Sequence, residues 1–398
     1  MKKKILIYEY SMEIGGIEKS LLGLLESIDY SKYEVDLFIM KHMGELMEYI
    51  PKEVNVLEED PYARVTGVPI KNLLFQGDIY AFLVRMYSKI KEKCQRIRGK
   101  QISGEYLSQI TYPLLIKKFG KIKKEYDLAI SFYWPHYYIL NNVRAKKKVG
   151  WIHTDYSNIK LDIEKDIKMW GQLDKVIAVA DKSKETFLEV MDRRELVEKT
   201  MVIENILPEK LIKKQALEKV ELNHEKSQIV LLSIGRYDEP KNFDNVPEIC
   251  SKIIEKGVDV VWYIIGYGKN GQIIRENIKK YNMQDHVILL GKKENPYPYI
   301  KECDIYIQPS RYEGKAVTVR EAQMFCKPVV ITKFPSSDSQ LEDGKDGIIV
   351  PMDNEGCAHG IVNLIKNEYM QKYLSENCRQ NDYTNKDEIY KIYKLIGD

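Results

Sequence analysis

Pairing is the first thing this chain's cysteines lack. Cys94, Cys250, Cys303, Cys326, Cys357 and Cys378 form no C-x-x-C motif and no Cys/His cluster with zinc spacing. That excludes a disulfide-stapled or zinc-built scaffold and points to free thiols in a reducing compartment. No charge sign dominates: 62 Lys+Arg face 59 Asp+Glu, a net +3, so composition suggests no nucleic-acid partner. Long apolar runs are missing. The stretch from Val258 to Gly266 contains Asp259 and is too short to span a bilayer. After Met1-Lys2-Lys3-Lys4, the run Ile5-Leu6-Ile7-Tyr8 stops at Glu9, short of the apolar region of a signal peptide. A soluble cytoplasmic protein is expected. A D-x-D triplet is absent as well, so no divalent metal is expected.

What is present suits packed domains: 398 residues, 44% hydrophobic and 30% charged, enough for two. Short β-rich apolar runs (Ile5–Tyr8, Val35–Met40, Leu128–Phe132, Val149–His153, Val176–Ala180) alternate with helical patterns such as Ile17–Ile28. That rhythm predicts a parallel sheet with helices on both faces. It breaks over the charged stretch Pro208–Lys226 and restarts at Ile229. The predicted division is residues 1–205, a first Rossmann-like domain; 206–228, a linker; 229–380, a second Rossmann-like domain; and 381–398, a C-terminal helix packing back on the first domain. Charge is local: from Arg85 to Lys124, twelve Lys/Arg face only Glu92 and Glu105.

Four places carry candidate chemistry. The first turn, Ser11-Met12-Glu13-Ile14-Gly15-Gly16, precedes a helix; Gly15 and Gly16 suit either a plain tight turn or close approach to an anion. It does not read G-x-G-x-x-G. Arg236 and Lys241 stand in the loop after strand Ile229–Ile234, at the sheet edge where α/β proteins bind ligands. A guanidinium and an ammonium there would neutralise a diphosphate leaving group, unless they are ordinary surface cations. In Glu313-Gly314-Lys315-Ala316-Val317-Thr318-Val319-Arg320-Glu321, two carboxylates flank a strand-to-helix turn. Each would accept hydroxyls of a polyol, a sugar at one and a ribose at the other, while amides of Lys315, Ala316 and Val317 fall near the helix start. His153 ends an apolar strand, a position more often structural or surface than functional.

These residues, in this order, resemble a retaining glycosyltransferase of family 4 with the GT-B fold, as in bacterial surface-polysaccharide synthesis. The resemblance spans nearly the whole chain and is strongest from about Ile229 to Pro351. It implies two doubly wound Rossmann-like domains facing a cleft, residues 1–205 binding the acceptor and 229–380 the nucleotide sugar. It implies that Arg236 and Lys241 hold the donor diphosphate, Glu321 the nucleotide ribose, and Glu313, with amides after Gly314, the donor sugar. Gly16 would approach the transferred sugar or phosphates, and His153 a sugar hydroxyl. Catalytic weight falls on Glu313, His153, Arg236 and Lys241. Lys315 departs from the family pattern. The implied donor is a UDP- or GDP-linked hexose, and the acceptor a saccharide, expected to be lipid-linked. An anionic membrane surface would meet the Arg85–Lys124 tract, placing the protein peripherally at the inner face of the cell membrane. Two readings compete: a non-catalytic sugar-nucleotide-binding partner protein, and a sugar-nucleotide epimerase or phosphorylase on a similar frame.

Overall fold

Apolar, β-branched runs form the strands of two parallel sheets in the computed structural model, which describes residues 2–313 and 316–397. Gly314 and Lys315, two of the expected donor-binding residues, lie outside the described residues. The chain divides into two units, one of residues 1–208 together with 385 onward, the other Glu209–Thr384.

The first unit holds β1 (Lys3–Glu9), β2 (Tyr33–Ile39), β3 (Asn55–Val56), β4 (Ile122–Ser131), β5 (Val143–Ile152), β6 (Lys175–Ala178) and β7 (Thr200–Val202), in spatial order β3-β2-β1-β4-β5-β6-β7. The second holds β8 (Ile229–Ile234), β9 (Val260–Ile265), β10 (Val287–Gly291), β11 (Ile305–Gln308), β12 (Val329–Thr332) and β13 (Ile348–Val350), ordered β10-β9-β8-β11-β12-β13. Every pairing is parallel. Counted from its own first strand, the second sheet runs 3-2-1-4-5-6, the Rossmann order, and the first adds a seventh strand. In each sheet the winding reverses between the first and fourth strands. Loops leaving those two carboxyl ends diverge and leave a crevice for ligand.

Both sheet faces are covered, which is why the central strands are apolar throughout rather than alternating. Val260–Ile265 is buried at every position. Helices such as Val246–Glu255 bury one apolar stripe against the sheet.

One boundary differs from the sequence expectation. Within the expected linker 206–228, Glu209–Gln215 is a helix of the second unit with Leu211 and Ile212 buried. Its short i, i+1 apolar pair gives no periodic signal among so many charges. At the other end, the helix Ile389–Ile396 belongs to the first unit, where Tyr393 stacks on Tyr33 at 4.5 Å and accepts the Asp29 N–H at 2.8 Å. The preceding helix, Glu368–Gln380, stays with the second.

Candidate functional site

In the second unit the loops after β8 and β11 flank the point where the winding reverses, and they carry Lys241 and Glu313. A short 3-10 turn, Glu239–Lys241, ends at Asn242, whose left-handed backbone (φ 59°) turns the chain sharply. Asn242 is buried, and its Nδ2 donates to the Pro309 carbonyl across the loop (2.8 Å). The Arg311 amide donates to the Pro240 carbonyl (2.8 Å), and its guanidinium forks the Asp244 carboxylate at 3.0 and 2.8 Å. Two loops that would otherwise move independently are thereby joined.

That frame brings Lys241 Nζ to 2.6 Å from Glu313 Oε1. The same oxygen accepts Ser310 Oγ at 2.6 Å and Gln308 Nε2 at 3.0 Å. Glu313 is 8% exposed and the Lys241 side chain 20%. A carboxylate this buried needs its charge answered, and an ammonium plus two neutral donors supply that. Each ammonium has three protons, so pairing with Glu313 leaves Lys241 able to donate outward as well.

Glu321 lies on the helix Val317–Met324, nearly buried, and Oε1 accepts the hydroxyl of buried Tyr297 at 3.2 Å. Burial, then the neighbouring Glu321 charge, push the Tyr297 hydroxyl well above its ordinary pKa, so it stays a donor. The Ala316 amide is already taken: it donates to Gln340 Oε1 at 2.7 Å. Sequence reasoning offers that amide to a ligand; the buried Gln340 side chain claims it instead. Val317 opens the helix, where first-turn amides have no intrahelical acceptor. Arg236 stands apart from this cluster. Its side chain is exposed, and its Nε lies 3.4 Å from Asp238 Oδ2.

One further signal is legible in the sequence, outside the four places considered above. Gly266-Tyr267-Gly268-Lys269-Asn270-Gly271 reads G-x-G-x-x-G, directly after β9 and opening the helix Gly271–Lys280. At Gly266 (φ +156°) an added Cβ would lie 1.8 Å from the Gly235 carbonyl oxygen. Glycine here lets the β9 loop press against the β8 loop beside Arg236. Asn242, Asp244, Arg311 and Gln340 carry no such signal, because each acts by reaching a distant loop.

In the first unit, His153 follows β5, with its Nε2 sealed from solvent and without a partner. Its ring packs on Phe132 (centroids 5.2 Å apart), and burial lowers its pKa to about 3, so the imidazole is neutral. Gly15 is the N-cap of the helix Gly16–Ser27. A Cβ at Gly15 would lie 2.2 Å from Glu18 Oε2, whereas one at Gly16 would meet nothing within 4 Å. Two further buried groups sit at this edge. Glu9 ends β1 with Oε2 unpartnered, and burial pushes its carboxyl up to about 8. His136, held by Ser131 Oγ at 2.8 Å, is lowered by burial to about 3.

The basic tract contains the helix Ile79–Ile97. Its inner face is Ala81, Val84 and Ser88. Ile79, Leu83, Met86, Tyr87, Ile90 and Ile97 are exposed, Ile97 by 75%, and Phe75 just before them by 91%. Phe82, on the same helix, packs partly against the core. Lys124 is withdrawn from the tract by ion pairs to Glu34 (2.6 Å) and Asp36 (2.7 Å). No helix among the described residues is long and apolar enough to cross a membrane, and no cluster of three His, Cys, Asp or Glu among them could hold a metal.

Comparison with known proteins agrees with this architecture. Residues 214–381 match the family model for glycosyl transferases group 1. The chain is 23% identical over 380 residues to the N-acetylgalactosamine-N,N'-diacetylbacillosaminyl-diphospho-undecaprenol 4-alpha-N-acetylgalactosaminyltransferase of Campylobacter jejuni, covering 95% of this chain and 94% of that one. An uncharacterized glycosyltransferase of Methanocaldococcus jannaschii is 31% identical, but over 37% of each chain. Among solved structures, a mutant of S. aureus TarM, in complex with Fondaparinux, alpha-GlcNAc-glycerol and UDP, matches over 100% of both chains, with TM-score 0.60 and 15% identity. With a group 1 domain on a second sheet of Rossmann order and a GT-B match to both units, this chain is a glycosyltransferase of the GT-B fold.

Proposed function

We propose that this enzyme is a retaining glycosyltransferase of family 4, moving a hexose from a UDP- or GDP-sugar to a lipid-linked saccharide in bacterial surface-polysaccharide synthesis. The observation that carries the reading is the Lys241–Glu313 pair at the reversal point, with Ser310 and Gln308 on the same carboxylate oxygen. Leaving-group departure puts negative charge on the diphosphate. Lys241, preorganised by Glu313, and the exposed Arg236 supply positive charge there without a metal. Glu313 faces charge of the opposite sign on the sugar as its anomeric carbon becomes oxocarbenium-like. Glu321 accepts ribose hydroxyls while Tyr297 fixes its carboxylate. Gly16, with open space above it, lets a sugar or phosphate approach the first unit's helix; His153, neutral and with Nε2 sealed from solvent, would meet a sugar hydroxyl only once that nitrogen is uncovered.

The acceptor class is supported by the Campylobacter relative, whose name specifies a diphospho-undecaprenol substrate. Support for peripheral attachment at the cytoplasmic membrane face comes from the helix Ile79–Ile97. Its inner face already holds it to the domain, so its exposed apolar residues, flanked by Lys89, Lys91, Lys93 and Arg96, are available to an anionic interface. A panel of nucleotide sugars, each paired with a diphospho-lipid saccharide and scored by nucleoside diphosphate release, tests the reading. One donor is expected to be turned over in an acceptor-dependent way. Acceptor-independent turnover alone, or none across the panel, would contradict it.

A further inference from the structure

Beneath the basic amphipathic helix lies a cavity of about 170 Å³, wholly inside the first unit. It opens beside the loops that leave β1 and β4, so it shares the sheet edge with Gly15, Gly16 and His153. Its lining includes Arg85 and Lys89 from the helix, Thr66, Ser108, and the rings of Tyr10 and Tyr133 stacked at 4.7 Å.

Charge in this cavity is unbalanced. The Arg85 guanidinium is partly buried, and its Nη1 donates to the carbonyls of Val65 (3.0 Å) and Val68. Those acceptors are neutral, and burial lowers its pKa from the ordinary arginine value. Lys89 sits at the rim one helical turn on. Among the described residues, neither cation has a carboxylate partner and no acidic side chain lines the cavity. A desolvated cation satisfied only by carbonyls retains an unanswered charge, and fixing Nη1 on two carbonyls orients the remaining guanidinium donors. The Ser108 hydroxyl adds a neutral donor for a phosphate oxygen, whereas the Thr66 hydroxyl already donates to the Ala63 carbonyl at 2.9 Å. The volume is below the roughly 300 Å³ at which pockets for drug-sized ligands begin, so it suits one small group rather than an oligosaccharide.

We infer that this cavity is a phosphate or diphosphate site in the first unit, and that in the acceptor it takes the phosphates adjoining the lipid. The second clause rests on the proposed function. The same helix then serves both ends of one ligand: Arg85 and Lys89 hold the anion while exposed Leu83, Met86 and Ile90 meet the hydrocarbon. Held there, the phosphates would fix how far along the sheet edge the acceptor saccharide reaches.

The test is equilibrium dialysis of labelled inorganic pyrophosphate, with the donor site filled by saturating UDP, or by GDP if UDP does not bind. The wild-type protein should retain one nucleotide-resistant pyrophosphate site. Arg85→Gln, Lys89→Gln and the cavity-filling Ser108→Phe should each weaken it at least tenfold, and Arg236→Ala should not. Nucleotide affinity, a property of the second unit, should stay within twofold in the three first-unit variants; it reports their folding and tests the glycosyltransferase reading separately. Absence of a nucleotide-resistant site in the wild type, or equal binding in all three correctly folded variants, overturns the proposal. Displacement of pyrophosphate by geranylgeranyl diphosphate in detergent is expected for an acceptor site. Displacement by free phosphate or by phosphatidylglycerol vesicles, but not by that diphosphate, would overturn the acceptor assignment.

Discussion

Replacing Glu313 with glutamine isolates the charge at the centre of the candidate donor site. Glutamine keeps the shape and an acceptor oxygen for Lys241, Ser310 and Gln308, which now bond to Oε1 at 2.6, 2.6 and 3.0 Å. What disappears is the counter-charge to an ammonium whose side chain is 20% exposed. Removing one partner of a fully buried pair costs about 3–5 kcal/mol. Because glutamine still accepts and Lys241 keeps some solvent, the expected loss for Glu313→Gln is nearer about 2 kcal/mol. Lys241→Met should lose a similar amount, and the double variant much less than the sum, giving a coupling of about 2 kcal/mol in urea unfolding. A bound nucleoside diphosphate restores a counter-charge to Lys241, so it should stabilise Glu313→Gln at least as much as the wild type. On the role proposed for the carboxylate, transfer should fall roughly 100-fold or more. A coupling below about 0.5 kcal/mol, or near-normal transfer in a folded Glu313→Gln protein, would refute the reasoning.

Four further outcomes follow from the same geometry. Glu9 ionises near 4.5 when unfolded and near 8 when folded, so between those values the native state keeps a proton the unfolded state has lost, and stability falls as pH rises. Glu9→Gln should therefore lose less stability than the wild type between pH 5 and 7.5 in unfolding titrations; an identical pH profile would contradict this. His136 and His153 act in the opposite direction: lowered from 6.5 to about 3, they withdraw stability as pH drops through that window, and His136→Gln should lessen the acid loss. Sugar transfer should persist in excess chelator, and an absolute need for Mn²⁺ or Mg²⁺ would overturn the metal-free leaving-group account. Sedimentation with anionic vesicles should weaken with salt, and both Leu83→Gln/Ile90→Gln and reversal of Lys93 and Arg96 to Glu should reduce it; equal sedimentation of both variants would return the helix to a plain solvated surface.

Much of the fold is legible because parallel strands buried on both faces leave continuous apolar runs such as Val260–Ile265. The weak edge strands are not: β3 has two residues and β7 and β13 three each, too short for a pattern. At the candidate site, residue types that carry charge next to a glycine or a strand end are visible, hence Lys241, Glu313 and Glu321. Their connections are not. That Lys241 is paired to Glu313, 72 residues away, follows from strand order, which places β8 beside β11. The same holds for Gln340 occupying the Ala316 amide and for Arg311 bridging to Asp244. The outward-facing apolar stripe on Ile79–Ile97 is undecided by sequence for a different reason. Periodicity shows that a helix has two faces, and only tertiary packing shows which one is covered.

The central claim is that a nucleoside diphosphate binds at the second sheet's reversal point through Lys241 and Glu321. Calorimetric titration of UDP and GDP into the wild type, Lys241→Met and Glu321→Ala tests it without an acceptor. One nucleotide should bind the wild type, with loss of a charged hydrogen-bond partner weakening it by about 1.5–3 kcal/mol in each variant, roughly tenfold or more. Affinity unchanged in both folded variants, or no binding of either nucleotide to the wild type, would contradict it.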